Sequence, residues 1–251
     1  MNNYLLGGWT QLLHATPPAS FSYTMYGMIT NLDGLTSGTP SAPGWSPAKH
    51  AAPTVPNGKV LWTYGGGGCT PRNMPDNGNI TDIINATNTQ HWDGVDFDDE
   101  CYMNAGNIIS CMQSLKPLST SYTFLAGWAY NNPDSDPSGL GKSINQSVEA
   151  IAGSGACDRF ILMCYGSAMW SMSDIQANVG PAIDRTIKYT GDPSQVILAL
   201  TPKGLTDENL NYFLDQVTGK GIGGLFVWDF NDLSSGDLAT IEAKLGLGQV
   251  V

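Results

Sequence analysis

The chain has 251 residues, 41% of them hydrophobic and 10% aromatic, enough to bury the core of one α/β barrel or of two small domains. Eleven basic residues against 22 acidic ones give a net charge of −11, a field that repels nucleic acid and anionic membranes but tolerates a neutral substrate such as a sugar polymer. No apolar run approaches the ~20 residues that cross a bilayer, so a membrane-spanning helix is not expected.

In chain order, the first strand candidate is Tyr4–Trp9, almost at the initiator. It leaves no room for a secretion leader, so the chain is either intracellular or has lost one; an extracellular location with the leader removed is the expectation. Gln11–Ala19 is too short and Pro-broken for a full helix, and strand Ser22–Thr30 follows it. Asn31–Gly58, rich in Gly, Pro and Ser, reads as a long loop with at most one helix near Ser46–Ala52. From there strands and helices alternate. Strand Lys59–Gly66 precedes helix Thr81–Thr87, strand Trp92–Glu100 precedes helix Ala105–Leu115, and strand Tyr122–Trp128 precedes helix Lys142–Gly153. Strand Arg159–Tyr165 leads to helix Ser171–Lys188, strand Gln195–Thr201 to helix Thr206–Lys220, and strand Gly223–Phe230 to helix Ser235–Leu245. Thr206 before Asp207-Glu208, and Ser234 three residues before Asp237, are plausible N-caps, while Gly246 is a helix stop.

Eight short, nearly all-apolar strands alternating with helices are the pattern of a parallel sheet, and their number fits a closed (β/α)8 TIM barrel better than an open doubly wound sheet. A single catalytic domain over residues 1–251 is the reading. In a barrel of this kind chemistry collects at the C-terminal ends of the strands.

The fourth strand ends Asp93-Gly-Val-Asp-Phe-Asp-Asp-Glu100. Its period of two puts Asp96, Asp98 and Glu100 on one face and Val95 and Phe97 on the other. Three ionised carboxylates spaced roughly 6–7 Å apart repel one another, so at least one is expected to hold its proton well above the ordinary range. That is how an acid stays protonated near neutral pH. An acidic surface strand would not explain Val and Phe at the alternate positions. A calcium loop would need Gly at its sixth position and Glu at its twelfth.

At these residues the sequence resembles glycoside hydrolase family 18, whose motif runs Asp-Gly-x-x-Asp-x-Asp-x-Glu, sometimes with a first spacer one residue shorter, as here. The resemblance implies that Glu100 protonates the leaving glycosidic oxygen, that Asp98 orients and polarises the substrate's own 2-acetamido group, and that Asp96 shares a proton with Asp98. The acetamido oxygen would be the nucleophile, giving an oxazolinium ion and retained configuration. Lys59-Val-Leu-Trp-Thr-Tyr-Gly-Gly-Gly-Gly68 resembles the family's third strand, where glycines such as Gly66 let the backbone lie close to the catalytic strand. Phe160-Ile-Leu-Met-Cys-Tyr165 resembles its sixth strand, with Met163 in the site and Tyr165 bonding the acetamido carbonyl; Gly166 stands where the family usually has Asp or Asn. Gly224-Leu-Phe-Val-Trp-Asp-Phe230 resembles its eighth, with Trp228 as a floor for the sugar ring. Tyr26 and Trp128, and more weakly Trp9 and Trp170, are further candidate sugar platforms at or just past strand ends.

The resemblance implies an endo-acting chitinase taking an N-acetylglucosamine-containing oligo- or polysaccharide, without cofactor, as a monomer. Two alternatives stay open: an endo-β-N-acetylglucosaminidase acting on the chitobiose core of N-glycans, which the Asp99 in Phe-Asp-Asp-Glu resembles, and a chitin-binding lectin on the same barrel. No extra domain interrupts Thr201–Thr206, so a shallow, open groove is expected. His14, His50 and His91 are scattered, so no metal is expected. Five cysteines fit no zinc pattern and read mostly as buried apolar residues. Cys69 and Cys101 follow neighbouring strands and could meet as a disulfide at the barrel mouth.

Overall fold

The computed structural model describes residues 3–29, 46–67, 75–127 and 140–247. Eight parallel strands close in sequence order into a barrel: β1 (Leu5–Thr10), β2 (Tyr23–Ile29), β3 (Lys59–Gly65), β4 (Gly94–Asp99), β5 (Ser119–Leu125), β6 (Arg159–Met163), β7 (Val196–Leu200) and β8 (Gly224–Trp228). Closure is made by β1 on β8, with Leu5 opposite Gly224 and Trp9 opposite Trp228. The strands lie within a few residues of their sequence-predicted bounds, because a strand buried on both faces must be apolar throughout and cannot hide in polar sequence.

Alternate residues build two separate cores. Inside the barrel pack Tyr23, Met25, Leu61, Ile161, Ile197 and Phe226, with Trp9, Met163 and Tyr165 above them. The other face of each strand meets the helices through residues such as Leu6, Trp62, Val95, Phe97, Tyr122, Phe160 and Leu198. At the N-terminal end of the interior, the Arg159 guanidinium lies 4.0 Å from the centre of the Tyr23 ring. Lys59 Nζ lies 6.0 Å from the same ring and donates to Ser119 Oγ at 2.6 Å. These polar groups close the floor away from the site.

The helices end where local chemistry says they should. Thr206 and Asn209 form a reciprocal capping box at the start of helix Asp207–Lys220, and Ser234 caps helix Ser235–Leu245, which stops at left-handed Gly246. Helix Asn77–Thr89 begins four residues before the predicted Thr81, because Asp76 accepts from Asn79 N and nucleates the turn there. The helix predicted near Ser46–Ala52 is only a turn: Lys49 N and His50 N both donate to Ser46 O, and nothing extends it before Pro53. Helices Leu140–Ser154 and Met172–Thr190 run slightly longer than read from sequence. Only six residues link β7 to its helix, leaving no room for an inserted domain. Among the described residues no helix is long and apolar enough to cross a membrane.

Candidate active site

The carboxylates of β4 stand at the C-terminal mouth of the barrel, in three different environments. Asp96, deepest, is wholly buried and accepts four hydrogen bonds. Oδ2 accepts from Trp9 Nε1 at 3.2 Å and Thr63 Oγ1 at 3.0 Å; Oδ1 accepts from Ser121 Oγ and Thr123 Oγ1, each at 2.7 Å. Burial pushes its pKa up and these four donors pull it back, because a charge without water survives only where donors replace the water. The bond from Asp96 to Asp98 that the resemblance implied is not made in this structure. Its oxygens are taken by groups from β1, β3 and β5.

Asp98, one layer up, bonds instead to Glu100. It is 3% exposed, and burial followed by repulsion from Glu100, Asp96 and Asp99 holds its pKa well above the ordinary 3.8. Its Oδ1 is buried and accepts no hydrogen bond. Glu100 is half-buried; burial raises its pKa too, opposed by the Gly67 N–H and by the bond from Asp98. Two coupled carboxyl groups sharing a proton at a cavity wall form an acid pair poised to exchange it.

The glycines after β3 make this arrangement possible. Gly65 has φ +115° and Gly66 φ +92°, conformations that side chains resist. A Cβ on Gly65 would run into the Asp98 carbonyl and Met103 Cε, and one on Gly66 would lie 2.9 Å from Met28. Gly66 N donates to Asp98 O at 2.9 Å. Bare backbone thus holds the acid strand from one side, as the glycine run suggested.

A cavity of about 220 Å³ opens beside the pair, walled by Asp98, Glu100, Trp9, Met28, Thr123, Leu125, Met163, Tyr165, Gly166, Ser167 and Trp228. Tyr165 is nearly buried, and desolvation together with the Asp98 and Glu100 charges keeps its phenol protonated, so it remains a hydrogen-bond donor. The described residues contain no cluster of groups able to hold a metal ion.

Of the residues singled out from sequence, Asp98, Glu100, Tyr165, Trp228 and Met163 meet at this cavity. Asp96 lies beneath it, and Gly66 buttresses it from behind. Tyr26 does not belong: it is 1% exposed and packs edge-on against Trp92 in the outer core, with ring centres 6.2 Å apart. It occupies the helix-facing parity of β2, so lying near a strand end was not enough. Trp128 lies outside the described residues, and Trp170 packs near Gly127 and Gly166 without lining the cavity. Trp9, a weaker candidate, does double service, lining the cavity and bonding Asp96. Met28, Thr123, Leu125 and Ser167 were missed. Thr123 was findable, since it shares the interior parity of β5 with Ser121. The other three carry no chemical signal in sequence.

Asp99, the residue that set the glycan-cleaving alternative apart, faces away from the cavity. It is buried among backbone N–H groups and the Tyr122 hydroxyl. Cys101 is disulfide-bonded; Cys69, its expected partner, lies outside the described residues. Cys111, Cys157 and Cys164 are free and buried, as apolar cysteines should be.

A closed eight-stranded barrel with a carboxylate trio at the end of its fourth strand defines a class of architecture, and the solved structures place it more narrowly. The chain has a glycoside hydrolase family 18 chitinase-like fold. It is similar to active domain 2 of the chitinase from Pyrococcus furiosus, with TM-score 0.61 and 13% identity over 100% of this chain and 98% of the other. It is likewise similar to the catalytic domain of a family 18 chitinase from the fern Peteris ryukyuensis, with TM-score 0.60 and 15% identity over 97% and 98%. A third likeness is to a family 18 chitinase variant from Cycas revoluta, solved with (GlcNAc)4, with TM-score 0.60 and 12% identity over 96% and 99%. No family model matches the sequence, and no curated protein does.

Proposed function

We propose that this chain is a retaining glycoside hydrolase that cleaves β-1,4 linkages between N-acetylglucosamine units, acting internally on chitin-like chains. The observation that carries the reading is the bonded Asp98–Glu100 pair facing one cavity with Tyr165 and Trp228. The architecture shared with chitinases over nearly the whole chain supports it.

In this reading the sugar before the cleaved bond lies on Trp228, whose ring offers an apolar platform to its C–H face. Glu100 takes up the proton shared with Asp98 and gives it to the leaving oxygen, which leaves both carboxyl groups ionised. Asp98, at the cavity wall, accepts the acetamido N–H and turns the carbonyl oxygen toward the anomeric carbon. Tyr165 donates to that carbonyl and holds it through attack. The nucleophile arrives with the substrate already oriented, so the protein needs only to stabilise the oxazolinium charge, which Asp98 does as it ionises. Asp96, saturated by four donors, remains a fixed negative charge below the pair. Water then opens the oxazolinium ion, with Glu100 as base, and configuration is retained.

The test is product analysis by mass spectrometry after incubation with chitohexaose and, separately, with a high-mannose glycoprotein. Short chito-oligosaccharides support the proposal. A released glycan leaving one N-acetylglucosamine on the protein transfers it to the endoglycosidase alternative, and no product from either substrate overturns it in favour of a lectin.

A further inference from the structure

We propose that Asp99 and Tyr122 form a positioning pair for Glu100, a role that rests on the glycosidase reading above. Asp99 immediately precedes Glu100 but points to the opposite side of β4. Its Oδ1 accepts from Cys101 N at 3.2 Å and Met103 N at 2.9 Å, and the N–H of Tyr102 also donates to the carboxylate. Its Oδ2 accepts from the Tyr122 hydroxyl at 2.6 Å. The chain therefore leaves the strand at Glu100 and wraps around the side chain of the preceding residue, with Tyr102 at φ +57° completing the turn. Glu100 is gripped between the residue that supplies the carboxylate and the residue that supplies the first donor.

Tyr122 anchors the grip to the barrel. It is wholly buried on β5, stacked on Phe124 with ring centres 5.5 Å apart, edge-on to Phe160, and bonded to Ser147 of helix Leu140–Ser154. A ring held on three sides cannot swing, so the carboxylate it bonds cannot either.

Asp99 is buried, and among the described ion pairs none includes it. Its desolvation is offset by four donors, three of them the N–H groups of Cys101, Tyr102 and Met103, so the carboxylate is spent on the turn rather than on the core. What the carboxylate supplies is a fixed path for the backbone on both sides of the acid. Its charge also reaches Glu100, which is faced by Asp98 on its own strand, Tyr165 from β6 and the Gly67 N–H after β3. After burial, Asp99 is the influence that favours the protonated form of Glu100, and it does so without sharing the proton.

The experiment compares kcat, KM and the pH profile of kcat on chitohexaose for the wild type, Tyr122→Phe and Asp99→Asn, with thermal melts to establish that each is folded. Tyr122→Phe frees the carboxylate without touching the cavity, and is expected to lower kcat about tenfold while KM stays within about twofold, as misplacement of an acid does. Asp99→Asn keeps acceptors for the N–H groups but removes the charge, and is expected to move the basic limb of kcat, where Glu100 loses its proton, to lower pH. A merely structural role would reduce the folded fraction and leave both readouts of the folded protein alone. A folded Tyr122→Phe with wild-type kcat, or an unmoved basic limb in Asp99→Asn, overturns the pair. A wild type inactive on chitohexaose and on high-mannose glycoprotein overturns the glycosidase reading itself, and the pair with it.

Discussion

Asp98 and Glu100 are bonded to each other and both line the cavity, yet they differ in what else they touch: Asp98 is 3% exposed with one oxygen unpartnered, whereas Glu100 receives the Gly67 N–H. Burial is the largest cause raising both, and Asp98 carries the heavier repulsion, so the pair favours holding one proton between its two members. Catalysis needs it on Glu100, one hydrogen bond away. Glu100→Gln keeps the shape and removes the transferable proton. It should lower kcat by about a thousandfold or more while leaving the Kd for chitotetraose within a few-fold. Calorimetry and turnover on the same preparation check it, and substantial residual turnover would remove Glu100 from the role.

The same pair makes folding pH-dependent. A carboxyl whose folded pKa is raised binds more protons folded than unfolded, so stability is intact at low pH and is lost as pH rises from the ordinary 3.8 through the folded value. Asp98→Asn abolishes that loss. At pH 7 it should raise Tm by about 2–4 °C, the shift that ~1 kcal/mol produces in a chain of this length, and the gain should vanish below about pH 4. It should also abolish most turnover, since sites are often stabilised when their like charges are removed. Calorimetric scans from pH 3 to pH 8 check the sign; a Tm gain that is equal at pH 3 and pH 7 would refute it.

The barrel was legible because its strands could not disguise themselves: buried on both faces, segments such as Arg159–Met163 are apolar at nearly every position. The acid run was legible because charges at alternate positions of such a strand need a reason. Side-chain direction was less so. Tyr26 and Trp9 both sit near strand ends with aromatic rings, and only strand parity, which a register change after Tyr26 obscures, separates the outer core from the cavity. The partners of Asp96 come from β1, β3 and β5, distant in sequence and ordinary in type, so no local pattern announces them. Asp99 lies between two site residues in sequence, and the period of two assigns it to the other face, where the structure has it.

Thr123 tests the support beneath the pair. Its Oγ1 donates to Asp96 Oδ1 at 2.7 Å and its side chain also lines the cavity. Thr123→Val keeps the volume but leaves Asp96 with three donors, so the Asp96 pKa should rise further. Removing one partner of a buried carboxylate costs about 1–3 kcal/mol. Unfolding in urea at pH 7 should show that loss, and it should shrink as pH falls and Asp96 protonates. A neutral substitution would mean that Ser121, Thr63 and Trp9 suffice to hold the charge.

Trp228 divides binding from chemistry. It is half-buried at the end of β8 and lines the cavity. Trp228→Ala removes the platform without changing the acid pair, and should weaken chito-oligosaccharide binding about tenfold to a hundredfold, within the 1–3 kcal/mol typical of an aromatic contact residue. Tryptophan fluorescence titration of Glu100→Gln, with and without Trp228→Ala, reads the Kd with no turnover to interfere. Equal affinity in the two would place the sugar elsewhere in the cleft.

Gly65 is the position where the smallest change should do the most harm. It ends β3 at φ +115°, a conformation open to glycine and resisted by every residue with a Cβ. A methyl group there would also meet the Asp98 carbonyl, which is backbone and cannot swing aside, and Met103, whose N–H is fixed by Asp99. Strain of that kind in a packed site costs about 1–3 kcal/mol from the backbone conformation, and a similar amount again from the collision. Gly65→Ala should therefore lower Tm by several degrees. Because relief of the clash must push β4 away from β3, the fraction that folds should also lose turnover out of proportion to its loss of stability. The neighbouring Gly67→Ala serves as the contrast: Gly67 does not have positive φ, and its added methyl would lie 3.5 Å from the nearest Glu100 oxygen, an ordinary contact. Melting curves and specific activity of the two variants side by side decide the matter. If Gly67→Ala proves the more damaging to stability, the close approach of β3 to β4 is not what requires the glycine run.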